Sequence, residues 1–150
     1  MSLFYEVEDA IITRLEAKFA ALNPLPKVKH GSDLANIKDK SQGDLTVFVA
    51  YNGISKVQEA AETVRTVGTI TNEYMIVVVA RSAKDNDSRF GTRELADPVL
   101  EKVISVLMGW QPLPKTEQLR IDGSLEPVYQ NGFGYFTLVF THRKSVRGEP

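Results

Sequence analysis

The stretch Thr66–Arg81, TVGTITNEYMIVVVAR, decides the fold. It is the longest strand candidate in the chain, and its second half, Met75–Ala80, is apolar at every position. Successive side chains of a strand point to opposite faces. One face therefore carries Ile76, Val78 and Ala80, and the other carries Met75, Val77 and Val79. A strand that is apolar on both faces is typically covered on both sides, so both faces of this strand are expected to be buried.

Other strands are indicated before and after this stretch. Leu45–Tyr51 is rich in β-branched and aromatic residues, and Phe133–His142 alternates between apolar and polar positions. Between them, Asn131-Gly132 is a hairpin signal, and two shorter strand candidates are Leu119–Ile121 and Leu125–Tyr129. The segment Ile54–Arg65 has helix-forming residues without caps, and we interpret it as a mobile loop or a strand extension.

Two helices are predicted from apolar residues at helical spacing. The first covers Tyr5–Leu22 and ends before Pro24, because proline cannot continue the hydrogen-bond ladder. The second ends near Met108, and its start is open. Either Asp97 caps a helix that starts at Pro98, or a preceding turn from Thr92 joins it with a kink.

The resulting fold class is α+β, with a mostly antiparallel sheet of four or five strands and two main helices packed on one face. Residues 1–150 are predicted to form one domain, with a flexible polar tail over about 143–150. Pro24–Asp44 is polar and irregular, and a short helical turn is possible near Leu34–Lys38.

Composition excludes several classes of function. The 150 residues carry a net charge of −1, so nothing draws the whole molecule to nucleic acid or to an anionic membrane. The absence of cysteine excludes disulfides and thiolate metal sites. The N-terminus has no basic region typical of a signal peptide, and the longest apolar run is too short to span a bilayer. We therefore expect a soluble protein of the cytoplasm.

No catalytic, cofactor or metal motif is found. His30 and His142 lack metal-binding spacing, and the KDNDSRFG segment with Asp85 and Asp87 lacks the glycine and glutamate of a calcium loop. Phosphate-binding loops are absent. We expect no enzyme, and an enzymatic or small-molecule site would require a pocket that joins scattered residues, namely Tyr74, Arg81, Asp85 and Trp110.

Surplus apolar surface is the remaining signal. Two helices cover little more than one face of such a sheet, which leaves the face of Met75, Val77 and Val79 for another subunit. The alternative is that Pro24–Asp44 folds over this face.

Four segments, in this order, resemble the tail terminator proteins of Mu-like phages and prophages, a family related in fold to the lambda-type tail terminator. They are VEDAIITRLEAKF from Val7, LTVFVAYNG from Leu45, EYMIVVVARS from Glu73 and VLEKVISVLMGWQP from Val99. A final strand, YFTLVFTH from Tyr135, completes the order. The resemblance covers nearly the whole chain.

The resemblance implies a structural protein without a cofactor. Such a protein assembles as a ring, usually a hexamer, at the head-proximal end of the tail tube. It stops tube polymerisation, offers a surface for head joining and, in contractile tails, meets the sheath. Its expected partners are copies of itself, the tube protein, and sheath and head-completion proteins, with no nucleic acid or membrane. It is expected in the host bacterial cytoplasm during assembly and then in the virion tail.

Two contact regions are expected on this basis. The subunit interface is placed at Met75, Val77 and Val79. The contact with tube or sheath is placed in the Ile54–Arg65 segment, at Ile54, Lys56, Val57, Glu59 and Arg65. The alternative functions are another neck or tail completion protein, and a small-molecule-binding α+β domain.

Overall fold

The computed structural model describes residues 3–31, 45–61, 66–81, 88–130 and 132–148. In this part of the chain the helices are α1 (Leu3–Phe19) and α2 (Ser88–Leu107). The strands are β1 (Lys27–His30), β2 (Leu45–Ala61), β3 (Thr66–Arg81), β4 (Arg120–Ser124), β5 (Val128–Gln130) and β6 (Phe133–Arg147).

The strands form one sheet in which β3 is central. Over the described residues the order is β1-β2-β3-β6-β4, and β5 pairs with β6 beside β4. All pairings are antiparallel except that of β1 with β2, which is parallel. The predicted α+β class with a mostly antiparallel sheet is confirmed, and the sheet has six strands in the described part where four or five were predicted.

Both helices pack on one face of the sheet and form the main core. Ile76, Val78 and Ala80 of β3 are fully buried there. The helices contribute apolar stripes to the same core: Val7, Ile11, Leu15 and Phe19 from α1, and Ala96, Val99, Val103 and Leu107 from α2. Burial of one such side chain contributes roughly 1.5–3 kcal/mol to folding, so this layer fixes the position of both helices.

The opposite face of the central strand is also buried, as its sequence predicted. Val77 and Val79 are 6% and 4% exposed, and they cluster with Phe48 of β2. Phe133 and Tyr135 of β6 pack against this smaller cluster. Burial on both faces explains why this stretch of β3 is continuously apolar instead of alternating.

Helix α2 decides between the two predicted starts and begins four residues before Thr92. It is continuous from Ser88 to Leu107, with Pro98 in its interior. A start at Pro98 is therefore wrong, and a helical segment does precede the proline. An interior proline removes one backbone hydrogen bond and costs about 3 kcal/mol. The buried residues on both sides of it, Ala96 and Val99, stabilise the helix against that cost.

Strands β2 and β6 extend further than the alternating patterns indicated. Ile54–Ala61 continues β2, so the strand extension is confirmed for these residues and the mobile loop is wrong. Residues 143–147, placed by the sequence in a polar tail, form the end of β6 and pair with β3. These polar segments become strands because a neighbouring strand supplies backbone hydrogen bonds. Their side-chain pattern gives no indication of that pairing.

Strand β1 lies in a segment for which no strand was predicted. Its four residues, KVKH, contain one apolar side chain, and their pairing with Thr46–Val49 of β2 holds them in the sheet. The hydrogen bond between His30 Nδ1 and Glu8 Oε1, 3.1 Å long, joins the end of β1 to α1. The helical turn considered near residues 34–38 lies outside the described residues.

Phe140 tests the main core because it is fully buried between β6 and the helices. We expect Phe140→Ala to lower the free energy of unfolding by about 3–5 kcal/mol, since it removes a ring and leaves a cavity. Urea unfolding followed by circular dichroism measures the change. The control is Ile54→Ala at a side chain that is 48% exposed, where a change of about 0.5 kcal/mol or less is expected. Equal effects of the two variants would contradict the assignment of the core.

Candidate interaction surface

Three strands continue beyond the helical layer and form what we call the arm, residues 52–61 of β2, 66–73 of β3 and 141–147 of β6. Strand β3 pairs with β6 through this region without a register shift, and with β2 across two register shifts. The main core, by contrast, ends at Tyr51, Tyr74 and Phe140. The eight residues of β3 in the arm correspond to a length of roughly 25 Å. The arm is therefore a ribbon of sheet outside the cover of the helices.

Two β-bulges in β2 mark the start of the arm. The register with β3 shifts between Tyr51 and Gly53, and again between Ile54 and Lys56. Gly53 has a φ of 98°, which glycine adopts without the steric cost that a side chain would bring. Bulges bend the strand and increase its twist. Strand β2 therefore changes direction where the sheet extends beyond the helices.

Aromatic side chains hold the root of the arm against the start of α1. The ring of Tyr51 stacks on Phe4 with centroids 5.2 Å apart and lies 5.3 Å from the ring of Tyr74. The hydroxyl of Tyr51 donates to Asn72 Oδ1 at 2.9 Å, and that of Tyr74 donates to the carbonyl oxygen of Phe4 at 3.0 Å. Burial raises the pKa of both tyrosines, so both remain neutral donors at physiological pH.

His142 is buried at the same root, opposite Asn72 in the β3–β6 register. It is 1% exposed, and neither ring nitrogen has a hydrogen-bond partner among the described residues. Burial lowers the pKa of His142, an effect that the neighbouring Glu117 partly opposes. An uncharged imidazole is therefore enclosed where the arm joins the body.

The two faces of the arm differ in chemistry. The face on the helix side carries Ile54 and Val57, which are 48% and 55% exposed, together with Ile70 and Val146 and the charged residues Glu59 and Lys144. The register places polar side chains on the opposite face, namely Lys56, Gln58, Thr69, Thr71, Arg143 and Ser145. The arm is an amphipathic ribbon, and its apolar side is only partly covered within the chain.

A groove of about 520 Å³ lies on the polar face of the arm. Three cationic side chains line it: Lys56 from β2, Arg120 from β4 and Arg143 from β6. Asp122 is the acidic residue in its lining, and Arg143 Nε also lies 3.8 Å from Glu117 Oε2. The groove is therefore a net cationic concavity suited to acidic groups of a partner.

The sequence did not identify Arg120 or Arg143 as site residues. Arg143 belongs to the basic run HRKSVR, and a strand over this run places Arg143 on the face opposite to His142 and Lys144. Arg120 joins the groove only because β4 pairs with β6, where Arg120 lies opposite Thr141. No local sequence pattern predicts the pairing of β4 with β6.

The predicted contact residues occupy two different places. Ile54, Lys56, Val57 and Glu59 lie together on the exposed arm portion of β2, and Arg65 lies outside the described residues. Met75, Val77 and Val79 share one face of β3 as predicted, but Val77 and Val79 are buried within the single chain and Met75 is half-buried. Their role as a subunit interface stays a prediction.

The residues considered for a small-molecule site make separate contacts. Tyr74 is in the main core, Trp110 lies under Arg14 at 4.7 Å, and Arg81 lies over Phe133 at 5.7 Å. Asp85 is outside the described part of the chain. Among the described residues, no group of three or more His, Cys, Asp or Glu side chains could hold a metal ion. Within the same residues, no helix has the length and apolarity needed to cross a membrane.

An exposed amphipathic ribbon with a cationic groove defines a protein whose prominent surface is suited to binding other protein chains. The model of the family described as "Phage tail terminator protein" matches residues 2–150. The chain therefore belongs to the phage tail terminator family, as its sequence segments predicted. It is a structural component of the virion tail that assembles with other virion proteins.

Similarity to solved structures is also found. One chain of a structure titled "Virion of native gene transfer agent (GTA) particle" shares 18% sequence identity with this protein. The match covers 68% of this chain and 69% of that chain, with a TM-score of 0.41. No curated protein matches the sequence.

The enclosed imidazole of His142 predicts a pH dependence of stability. Because the pKa of His142 is lowered in the folded state, the unfolded chain binds a proton more readily. The contribution of His142 to the free energy of unfolding is therefore complete above the unfolded pKa of about 6.5 and is lost as pH falls below it. Urea unfolding at pH 7.5 and 5.0 measures the loss.

His142→Leu is the matched variant, since it removes the titrating group at similar volume. We expect its loss of stability between the two pH values to be smaller than that of the unmodified chain. His30→Gln is the control at an exposed histidine, and it should leave the His142 contribution in place. The same pH dependence with and without His142 would contradict the prediction.

Proposed function

We propose that this tail terminator forms a ring, with six copies as the expected number, that caps the tail tube and stops its polymerisation. The ring then offers its other side for head joining and, in a contractile tail, meets the end of the sheath. Assembly takes place in the host bacterial cytoplasm. The family match over residues 2–150 is the observation that carries this proposal.

The arm is the proposed contact with the tube. It extends roughly 25 Å beyond the core, and its β2 portion presents exposed side chains at Ile54, Lys56, Val57 and Glu59. Binding through a ribbon of sheet requires no nucleophile or metal. Its affinity comes from apolar area, backbone hydrogen bonds and complementary charge.

Capping acts by occupying the growing end. A tube grows because each added ring presents a surface for the next one. A terminator binds that surface through the arm and presents its helical layer and loops in place of a new growth surface. This mechanism predicts that a small molar amount of terminator, matched to the number of tube ends, is sufficient to stop growth.

Tube growth in the presence of the chain tests the function. We expect purified tube protein from the same particle to form tubes of unrestricted length alone, and shorter tubes with rings at one end when this chain is added. Negative-stain electron microscopy measures both length and end structure. Tubes that keep their length and carry no added density would overturn the proposal, and binding to head-connector protein alone would indicate a different neck protein.

Charge reversal in the groove tests the contribution of the arm. Lys56 and Arg120 are exposed and line the groove, so the double variant Lys56→Glu with Arg120→Glu should fold with a stability change of about 1 kcal/mol or less. We expect it to bind tube ends at least about tenfold more weakly, because like charge across an interface is unfavourable. Titration of tube length against terminator concentration measures the loss.

Glu101→Lys is the matched control for charge reversal, since this exposed residue lies on α2 away from the groove. It should cap tubes as well as the unmodified chain. Equal capping by the groove variant and this control would show that the groove does not contact the tube.

A further inference from the structure

The arm has open hydrogen-bonding edges on both sides within the described residues. Strand β1 pairs with Thr46–Val49, and among the described residues no strand lies along the outer edge of β2 from Ala50 to Ala61. On the other side, β4 reaches Thr141 of β6, and the remaining residues through Arg147 pair with β3 alone. Long open edges are templates for further strand pairing.

We propose that a second copy of this chain covers these edges: the outer edge of β6 in one arm pairs with the outer edge of β2 in the next arm. This inference rests on the proposed ring and names the contact that would build it. Repeated around the ring, the contact joins all the arms into one continuous band of strands.

Charge favours this pairing over the symmetric alternative, in which the β6 edges of two copies pair with each other. The free portion of β6 carries Arg143, Lys144 and Arg147. Two such edges side by side would bring together Lys144 and Arg147 of both copies, four cationic side chains in addition to the two Arg143–Glu117 pairs, which is unfavourable. The free edge of β2 carries Lys56 and Glu59, whose charges cancel. The β6 edges of two copies therefore repel each other, and a β6 edge pairs more favourably with a β2 edge.

One specific cross-subunit pair is available. In the sheet register Glu59 is level with Val146, and Lys144 is one same-face step away, level with Val57. If the β2 and β6 strands of neighbouring arms keep the same relative register, Glu59 of one copy and Lys144 of the next lie diagonally opposite each other. Cβ atoms in diagonal positions are about 7–8 Å apart, within reach of a lysine side chain.

The strand directions agree with a ring. Because β2 and β6 are both antiparallel to β3, they run in the same direction within one chain. Copies related by rotation about an axis along the arms keep that direction, so β6 and the β2 of the partner subunit pair in parallel. The contact uses two different edges, and such heterologous contacts close into rings when the rotation closes.

The pairing also extends the apolar face of the ribbon. Val57 of one arm would come diagonally beside Val146 of the adjacent arm, since both lie on the helix-side face one same-face step apart. Each added arm thus covers part of the apolar area that its neighbour leaves exposed.

Engineered disulfides test the contact, because the chain contains no cysteine of its own. Four double variants combine Val57→Cys or Glu59→Cys with Lys144→Cys or Val146→Cys. Within one chain β2 and β6 are separated by β3, which places them roughly 10 Å apart. This exceeds the ~7 Å limit between Cα atoms for a disulfide, so a bond in these variants reports contact between copies.

The full-length variants are oxidised mildly, both alone at high concentration and on capped tubes, and analysed on non-reducing gels. We expect at least one double variant to give a ladder of covalent oligomers up to the ring size and each single variant to remain largely monomeric. The control pair Glu94→Cys with Glu101→Cys, on the exposed side of α2, should give no ladder.

The outcomes separate this contact from the proposed function. Covalent dimers of single variants in place of a ladder would overturn the proposal in favour of symmetric edge pairing. No ladder in any of the four variants, while native mass spectrometry shows rings or the chain still stops tube growth, would overturn edge pairing and leave the capping function intact. A ladder from a chain that fails to stop tube growth would support the contact and overturn the capping function.

Discussion

The pairing of β3, over nearly its whole length, with β2 on one side and β6 on the other is the interaction on which the rest of the structure depends. It positions the apolar residues of all three strands under the helices at one end. At the other end the same ladder continues beyond the two described helices. Backbone hydrogen bonds can propagate in this way because they do not depend on side-chain identity. One set of strands therefore builds both the core and the arm.

The root of the arm is the point where these two environments meet. Tyr51, Tyr74 and Phe4 close the main core with stacked rings, and two bulges in β2 turn the sheet away from it. Buried polar groups also concentrate here: Asn72 accepts from the hydroxyl of Tyr51, whereas the ring of His142 has no hydrogen-bond partner in the described part of the chain. The angle of the arm is therefore linked to α1 through packing, and its root is a place where small changes in charge affect stability.

Family membership and physical form support the same type of function. A tail terminator acts through surfaces, and the arm supplies a long ribbon with a cationic groove on one face and exposed apolar side chains on the other. The open strand edges add a third kind of surface, formed by backbone groups. Faces can contact one partner while edges contact another, so a single arm has room for both tube binding and ring formation.

The sequence by itself determined the class of the fold, the central strand and the approximate positions of both helices. Apolar periodicity carries these features, because residues that enter the core must match the period of their element. It also carried the family resemblance, through segments that form α1, β2, β3 and α2. It did not determine β1, the continuous helix through Pro98, or the strand character of 143–147.

Only the tertiary structure decided those features, since each depends on a partner that is distant in the sequence. A polar segment becomes a strand when a neighbour offers hydrogen bonds, and an interior proline is retained when packing on both sides of it offsets the lost bond. The groove follows the same rule: Lys56, Arg120 and Arg143 come together through the β2–β3–β6–β4 order. The local sequence indicates which residues prefer burial. The order of the strands in the sheet determines which exposed residues lie next to one another.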